Sequence, residues 1–222
     1  MNELRQPPLL RTKLHRPQYD TDVVVRSQLL ARLDAGLLSP LVLVSAPAGF
    51  GKSTLLSAWL QQCPMRSTWL SLDADDDDFD VFLAYLIAAV RVLEPQACAE
   101  TAALARLPVP APITVLAHQL VNDLDELREP FVLVLDDYDR IGSQVIHELM
   151  SILVRRPPRP LRLVLAARRD PPLPLARLRA AGLLTEVRMG ETLQLTIKID
   201  DSSNGNEPDL SALEKDFRVL TR

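Results

Sequence analysis

The sequence predicts an α/β fold, a three-layer sandwich in which a mostly parallel sheet lies between two layers of helices. Three observations predict it. Four short apolar runs, at residues 41–45, 68–72, 131–135 and 161–165, are nearly continuous rather than alternating, as expected of strands covered on both faces. Stretches with helical apolar spacing separate them, and strands alternating with helices favour parallel pairing. The chain has 222 residues, 47% hydrophobic but only 5% aromatic, so it is long enough for one substantial domain with an aliphatic core.

Residues 1–25, rich in Pro, Arg and Asp, read as an extended N-terminal arm. Ser27 then caps an apolar-periodic helix through Leu29, Leu30, Leu33 and Leu37, and Pro40 ends it ahead of the first strand. A Gly-containing loop and a helix through Leu55, Leu56, Trp59 and Leu60 follow. The second run, 68–72, leads into an acidic stretch and a strongly apolar helix over 79–93. Residues 94–112 carry prolines at 95, 108, 110 and 112 around a short alanine-rich helix and form an excursion from the core. A helix from Ile113 leads to the third strand, and a helix near 145–154 and a Pro-rich turn lead to the fourth. The core domain spans 26–188. Beyond it the composition shifts: Lys198 and Lys215 are two of the four lysines in the chain. Residues 189–222 read as a divergent tail holding a strand at 192–199 and a short polar helix.

Bulk properties exclude several classes. A net charge of −4 offers no basic footprint for nucleic acid, so no direct nucleic-acid binding is expected of this chain. Cys63 and Cys98 lack ligand spacing and read as buried free thiols. The N-terminus has no apolar signal core, and no apolar run reaches the ~18–20 residues of a membrane span. The cytoplasm is the expected compartment, with no membrane partner.

Chemistry concentrates after the first strand. Ala46-Pro47-Ala48-Gly49-Phe50-Gly51-Lys52-Ser53-Thr54 has the spacing of a P-loop (Walker A), with Ala in place of the usual first Gly. Successive backbone N–H groups and the positive end of the next helix cradle an anion. Ala48, Gly49, Phe50, Gly51, Lys52, Ser53 and Thr54 are the candidate nucleotide-binding residues. Lys52 bridges the β- and γ-phosphates and Ser53 ligates Mg²⁺; an ordinary glycine turn does not predict Lys-Ser-Thr at a helix start. Downstream, the strand 131–135 ends in Asp136-Asp137. Asp136 fits a Walker B carboxylate holding Mg²⁺, and Asp137 a group that orients the attacking water. After the fourth strand, Arg168 reads either as a γ-phosphate sensor or as half of a surface basic pair.

Elsewhere the plain structural reading prevails. Asp75–Asp78 cannot all face one ion, because neighbouring side chains diverge, and they read as a solvated loop capping the next helix. His15, His118 and His147 read as surface or packing residues, and Trp59 and Trp69 as core anchors.

The ordered set of motifs resembles the N-terminal ATPase domain of MalT-like, LuxR-type transcriptional regulators, within the STAND/AAA-like P-loop NTPases. The likeness runs through Thr12-Lys13-Leu14-His15-Arg16-Pro17, the P-loop, Trp69-Leu70-Ser71-Leu72-Asp73, Leu135-Asp136-Asp137-Tyr138 and Ala167-Arg168-Arg169-Asp170-Pro171-Pro172. It implies an additional strand between the P-loop and Walker B strands, ATP rather than GTP, Val25-Arg26 near the adenine, and Arg168 as the sensor. It further implies a slowly hydrolysing switch that self-associates when ATP-bound. The likeness fades near Met189, and family members continue into sensor and DNA-binding regions, which this chain is expected to lack. The alternatives are a small-molecule kinase on the same loop and an inactive truncated remnant.

Overall fold

A computed structural model describes residues 9–18 and 27–189. Contacts divide the chain after Glu191, and every described residue belongs to the first unit, Met1–Glu191. The tail expected to hold a strand and helix, and the Val25-Arg26 pair, lie outside the described residues.

The elements run α1 (Ser27–Gly36), β1 (Leu41–Ser45), α2 (Lys52–Gln62), β2 (Arg66–Ser71), α3 (Phe79–Arg91), α4 (Ala99–Ala105) and α5 (Ile113–Asp125). They continue with β3 (Phe131–Asp136), α6 (Gln144–Arg155), β4 (Leu161–Ala167), α7 (Leu175–Ala180) and β5 (Leu184–Arg188). The five strands form one parallel sheet in the order β2-β3-β4-β1-β5. The additional strand implied by the resemblance is β4, which pairs with β3 on one side and β1 on the other.

Side chains alternate along a strand, so each apolar run supplies two cores. Leu41, Leu43, Leu133, Leu135, Leu163 and Leu165 join a core with Phe82 and Leu86 of α3, Leu120 of α5 and Leu149 of α6. Val42, Val44, Val132, Val134 and Val164 join another, with Leu33 of α1 and Leu55, Leu56 and Trp59 of α2. Three layers result. Proline precedes three of the strands (Pro40, Pro130 and Pro160), where it disfavours helix in the residue before it and delivers the chain extended into the sheet.

Two elements depart from the sequence expectations, α7 and β5. Only Val187 of β5 is buried, because the strand lies at the sheet edge with β1 as its partner, so no apolar run marks it. Its charged residues pair off: Arg179 Nε lies 2.6 Å from Glu186 Oε2, and Arg188 lies 3.0 Å from Asp170. Such charges also discourage a further strand from adding to the edge.

The described part of the arm is bound to the domain. It holds a 3-10 turn, Arg11–Leu14, and Leu9 and Leu14 pack against the larger core. The Tyr85 hydroxyl accepts the Leu10 N–H at 3.0 Å, and the Ser57 hydroxyl donates to the Pro17 carbonyl at 2.6 Å.

Candidate nucleotide-binding site

In a parallel sheet all strands end on one edge, so the loops after β1, β3 and β4 meet there. The β1–α2 loop turns through Gly49 (φ 80°) and Gly51 (φ 76°), both left-handed. A Cβ at Gly49 would meet nothing within 4 Å, so the backbone conformation and not a lack of space calls for glycine. Lys52 opens α2 and is only 7% exposed. Its ammonium donates to the carbonyls of Ala46 at 2.9 Å and Pro47 at 3.3 Å.

Asp136 is the last residue of β3 and is 5% exposed. Burial pushes its carboxyl above the usual carboxylate range, and the Asp137 charge adds to this. The hydrogen bond with Ser53 and the Lys52 charge act in the opposite sense. Asp137 adopts φ 55°, ψ 38°, a left-handed conformation costing a non-glycine residue about 1–2 kcal/mol. Its N–H donates to Asp136 Oδ1 at 3.0 Å. The following 3-10 turn, Tyr138–Arg140, is anchored by fully buried Tyr138, whose hydroxyl lies 2.9 Å from His147 Nδ1. Arg168 is the first residue beyond β4; its N–H donates to Asp139 Oδ1 at 3.0 Å, and its Nε lies 3.7 Å from Asp139 Oδ2.

These groups surround one cavity of about 300 Å³. The loop contributes Ala48, Gly49, Gly51, Lys52, Ser53 and Thr54, and Asp137 and Arg168 bound the rest. Asp136 does not line the cavity, but the Ser53 side chain acts on its carboxyl and favours the charged form. Phe50 does not line the cavity and is 43% exposed. Arg26 lies outside the described residues.

Sequence reasoning missed the parts played by two carboxylates, Asp139 and Asp77. Asp139 reaches Arg168 only because β3 and β4 are neighbours, which no spacing reveals. Asp77 Oδ1 accepts the backbone N–H groups of Gly142 at 2.7 Å and Ser143 at 2.6 Å, capping α6 from another element. The expectation of a solvated loop at Asp75–Asp78 holds for Asp75, Asp77 and Asp78, which are exposed, and is corrected at Asp76. Asp78 does cap α3, accepting from the N–H groups of Asp80 and Val81 at 3.0 Å. Asp76, however, is 0% exposed and binds Lys13 of the arm through both oxygens at 2.8 Å.

A family model described as "AAA ATPase domain" matches residues 23–165. The chain belongs to the AAA ATPase domain family. Within it, the chain is 37% identical over 179 residues to the HTH-type transcriptional regulator MalT of Serratia proteamaculans and equally to that of Klebsiella pneumoniae. Each alignment covers 81% of this chain and 20% of the relative, so the chain spans about a fifth of the length of these relatives. Cdc6p from Pyrobaculum aerophilum shares the fold, with a TM-score of 0.52 and 16% identity over 78% of this chain and 46% of that one.

An AAA ATPase domain implies nucleotide binding with a divalent metal. This AAA domain has residues that fit both groups. The Lys52 ammonium is buried against neutral carbonyls, an arrangement that a phosphate oxygen can complete. The Asp136 carboxyl is buried beside a hydroxyl, the hard oxygen donors that Mg²⁺ takes. Among the described residues, no helix is long and apolar enough to cross a membrane.

Proposed function

We propose that this AAA domain binds ATP with Mg²⁺ in the P-loop cavity and hydrolyses it slowly, as the switch module of a MalT-type regulator. The observation that carries the reading is the meeting of Lys52 and Ser53 with Asp137 and Arg168, from three separate strand ends, around one cavity. Lys52 and the loop N–H groups would hold the β- and γ-phosphates. Ser53 and Asp136 would hold the metal, which neutralises charge on the phosphates when bound. Asp137 would orient the attacking water, and Arg168 would contact the γ-phosphate.

A switch needs the triphosphate and diphosphate states to differ. Moving a two-state equilibrium from 1:99 to 99:1 takes about 5.5 kcal/mol of differential binding. Charge-assisted contacts of Lys52, Arg168 and a metal to one phosphate group are of the kind that supplies such a difference. The resemblance to MalT regulators supports self-association of the ATP-bound form as the output of this domain, with DNA recognition belonging to other regions of such proteins.

ATP affinity and turnover of the wild type, Lys52→Ala and Asp137→Ala test the reading. Lys52→Ala should lose binding, while Asp137→Ala should bind ATP and fail to turn it over. A wild type that binds no Mg·ATP would refute the reading. Turnover rising steeply with an added small-molecule acceptor would replace it with a kinase.

A further inference from the structure

Asp139 occupies a position the proposed chemistry does not use. It sits on the turn directly after Asp136 and Asp137, and its side chain is only 12% exposed. Its two oxygens have different tasks. Oδ1 accepts the Arg168 N–H at 3.0 Å, at the point where β4 has ended and the sheet ladder offers that N–H no partner. Oδ2 faces Arg168 Nε at 3.7 Å, an ion-pair separation too long for a hydrogen bond. The backbone of Arg168 is thus pinned firmly while its guanidinium is held weakly. The Arg168 side chain is 38% exposed, so solvent screens the pair further.

A γ-phosphate in the cavity would offer the same guanidinium several anionic oxygens, with which a planar fork makes short paired bonds. In such an exchange the backbone bond would keep the pivot in place while the side chain moves. We propose that Asp139 is a positioning residue that retains the Arg168 guanidinium when no γ-phosphate is present and competes with that phosphate for it. Asp139 thereby sets how strongly the site distinguishes a nucleoside triphosphate from a diphosphate. The proposal rests on the nucleotide reading above.

Titration calorimetry with Mg·ATPγS and Mg·ADP, on the wild type, Asp139→Asn, Arg168→Ala and the double variant, tests it. Asparagine keeps an oxygen for the Arg168 N–H and removes the competing charge. The expected result is ATPγS binding tightened about two- to fivefold, the size a partly exposed ion pair supports, with ADP binding unchanged. In the Arg168→Ala background the same substitution should change neither. Tightening that persists without Arg168 would show a general field effect of the lost charge and overturn the latch, as would weaker ATPγS binding in Asp139→Asn. Equal effects on both nucleotides would overturn it too. A wild type that binds neither nucleotide would overturn the nucleotide reading and the latch with it. Should Asp139→Asn fail to fold, Asp139→Ser retains a small acceptor and supplies the same contrast.

Discussion

Replacing Lys13 by methionine should destabilise the domain by about 3 kcal/mol, although Lys13 lies in a segment that reads as an arm. Its ammonium is 2.8 Å from both oxygens of Asp76, 2.7 Å from Asp73 Oδ2 and 4.9 Å from the centre of the Tyr85 ring. The Asp76 side chain is 0% exposed, so the substitution strands a buried carboxylate. Removing one member of a buried pair costs about 3–5 kcal/mol. Asp76 Oδ2 keeps the Asp73 N–H at 2.8 Å, which places the loss at the lower end of that range. Asp73 is 52% exposed and adds little. In a domain of this size the loss lowers Tm by about 6–12 °C. Urea unfolding followed by tryptophan fluorescence measures it directly, since Trp59 and Trp69 are both 1% exposed. The pH dependence gives a second reading. Burial alone would lower the Lys13 pKa, but the hydrogen bonds from Lys13 to Asp73 and Asp76 outweigh it and raise the value above 10.5. Stability from the raised group is complete below pH 10.5 and is lost as pH rises through the folded value. Asp73, held below its usual 3.8 mainly by Lys13, gives stability that is lost as pH falls from there. A loss under about 1 kcal/mol, or an alkaline unfolding profile identical in wild type and Lys13→Met, would show that Lys13 does not sustain the buried Asp76 carboxylate.

Two further outcomes concern the turn after β3 and the start of α6. Burial lowers the His147 pKa below 6.5, against opposing contributions from the Asp77 charge and the Ile141 backbone. The unfolded chain therefore binds the proton first, and the urea midpoint should fall as pH drops below 6.5 toward the lowered value. His147→Gln should lose that slope, and an unchanged slope would contradict the assignment. Asp77→Ala should cost about 1–2 kcal/mol, because the Gly142 and Ser143 N–H groups at the start of α6 lose their acceptor. Asp77→Asn, which keeps an oxygen, should cost less. Unfolding midpoints equal to wild type for both would remove the cap from the account.

Much of the site was legible because its signals are local. The spacing of Gly49, Gly51, Lys52 and Ser53 is set by the path of one loop around one anion, so consecutive residues carry it. Asp136 and Asp137 were legible as acids ending a buried run, and Arg168 as a cation at the tip of another. The elements missed share a different cause. β5 presents one buried side chain, Val187, and pairs its charges with Arg179 and Asp170, so it leaves no apolar pattern. Asp76 was read as solvated because its neighbours Asp75, Asp77 and Asp78 are acidic too. Lys13 of the arm, together with the Asp73 N–H, makes a buried carboxylate there tolerable.

By itself, the sequence determined that an α/β sheet carries a phosphate-binding loop, because strand periodicity and loop spacing are properties of short segments. Strand order, of which the resemblance implied only the additional strand between those of the P-loop and Walker B, belongs to the tertiary structure. Placing β4 between β1 and β3 brings Arg168 to the cavity that Lys52 and Asp137 share, and sets Asp139 against Arg168 across two strand tips. Those contacts join residues far apart in the chain, and their partners follow from which strands lie side by side, a choice the packing of the two cores makes and no single segment encodes.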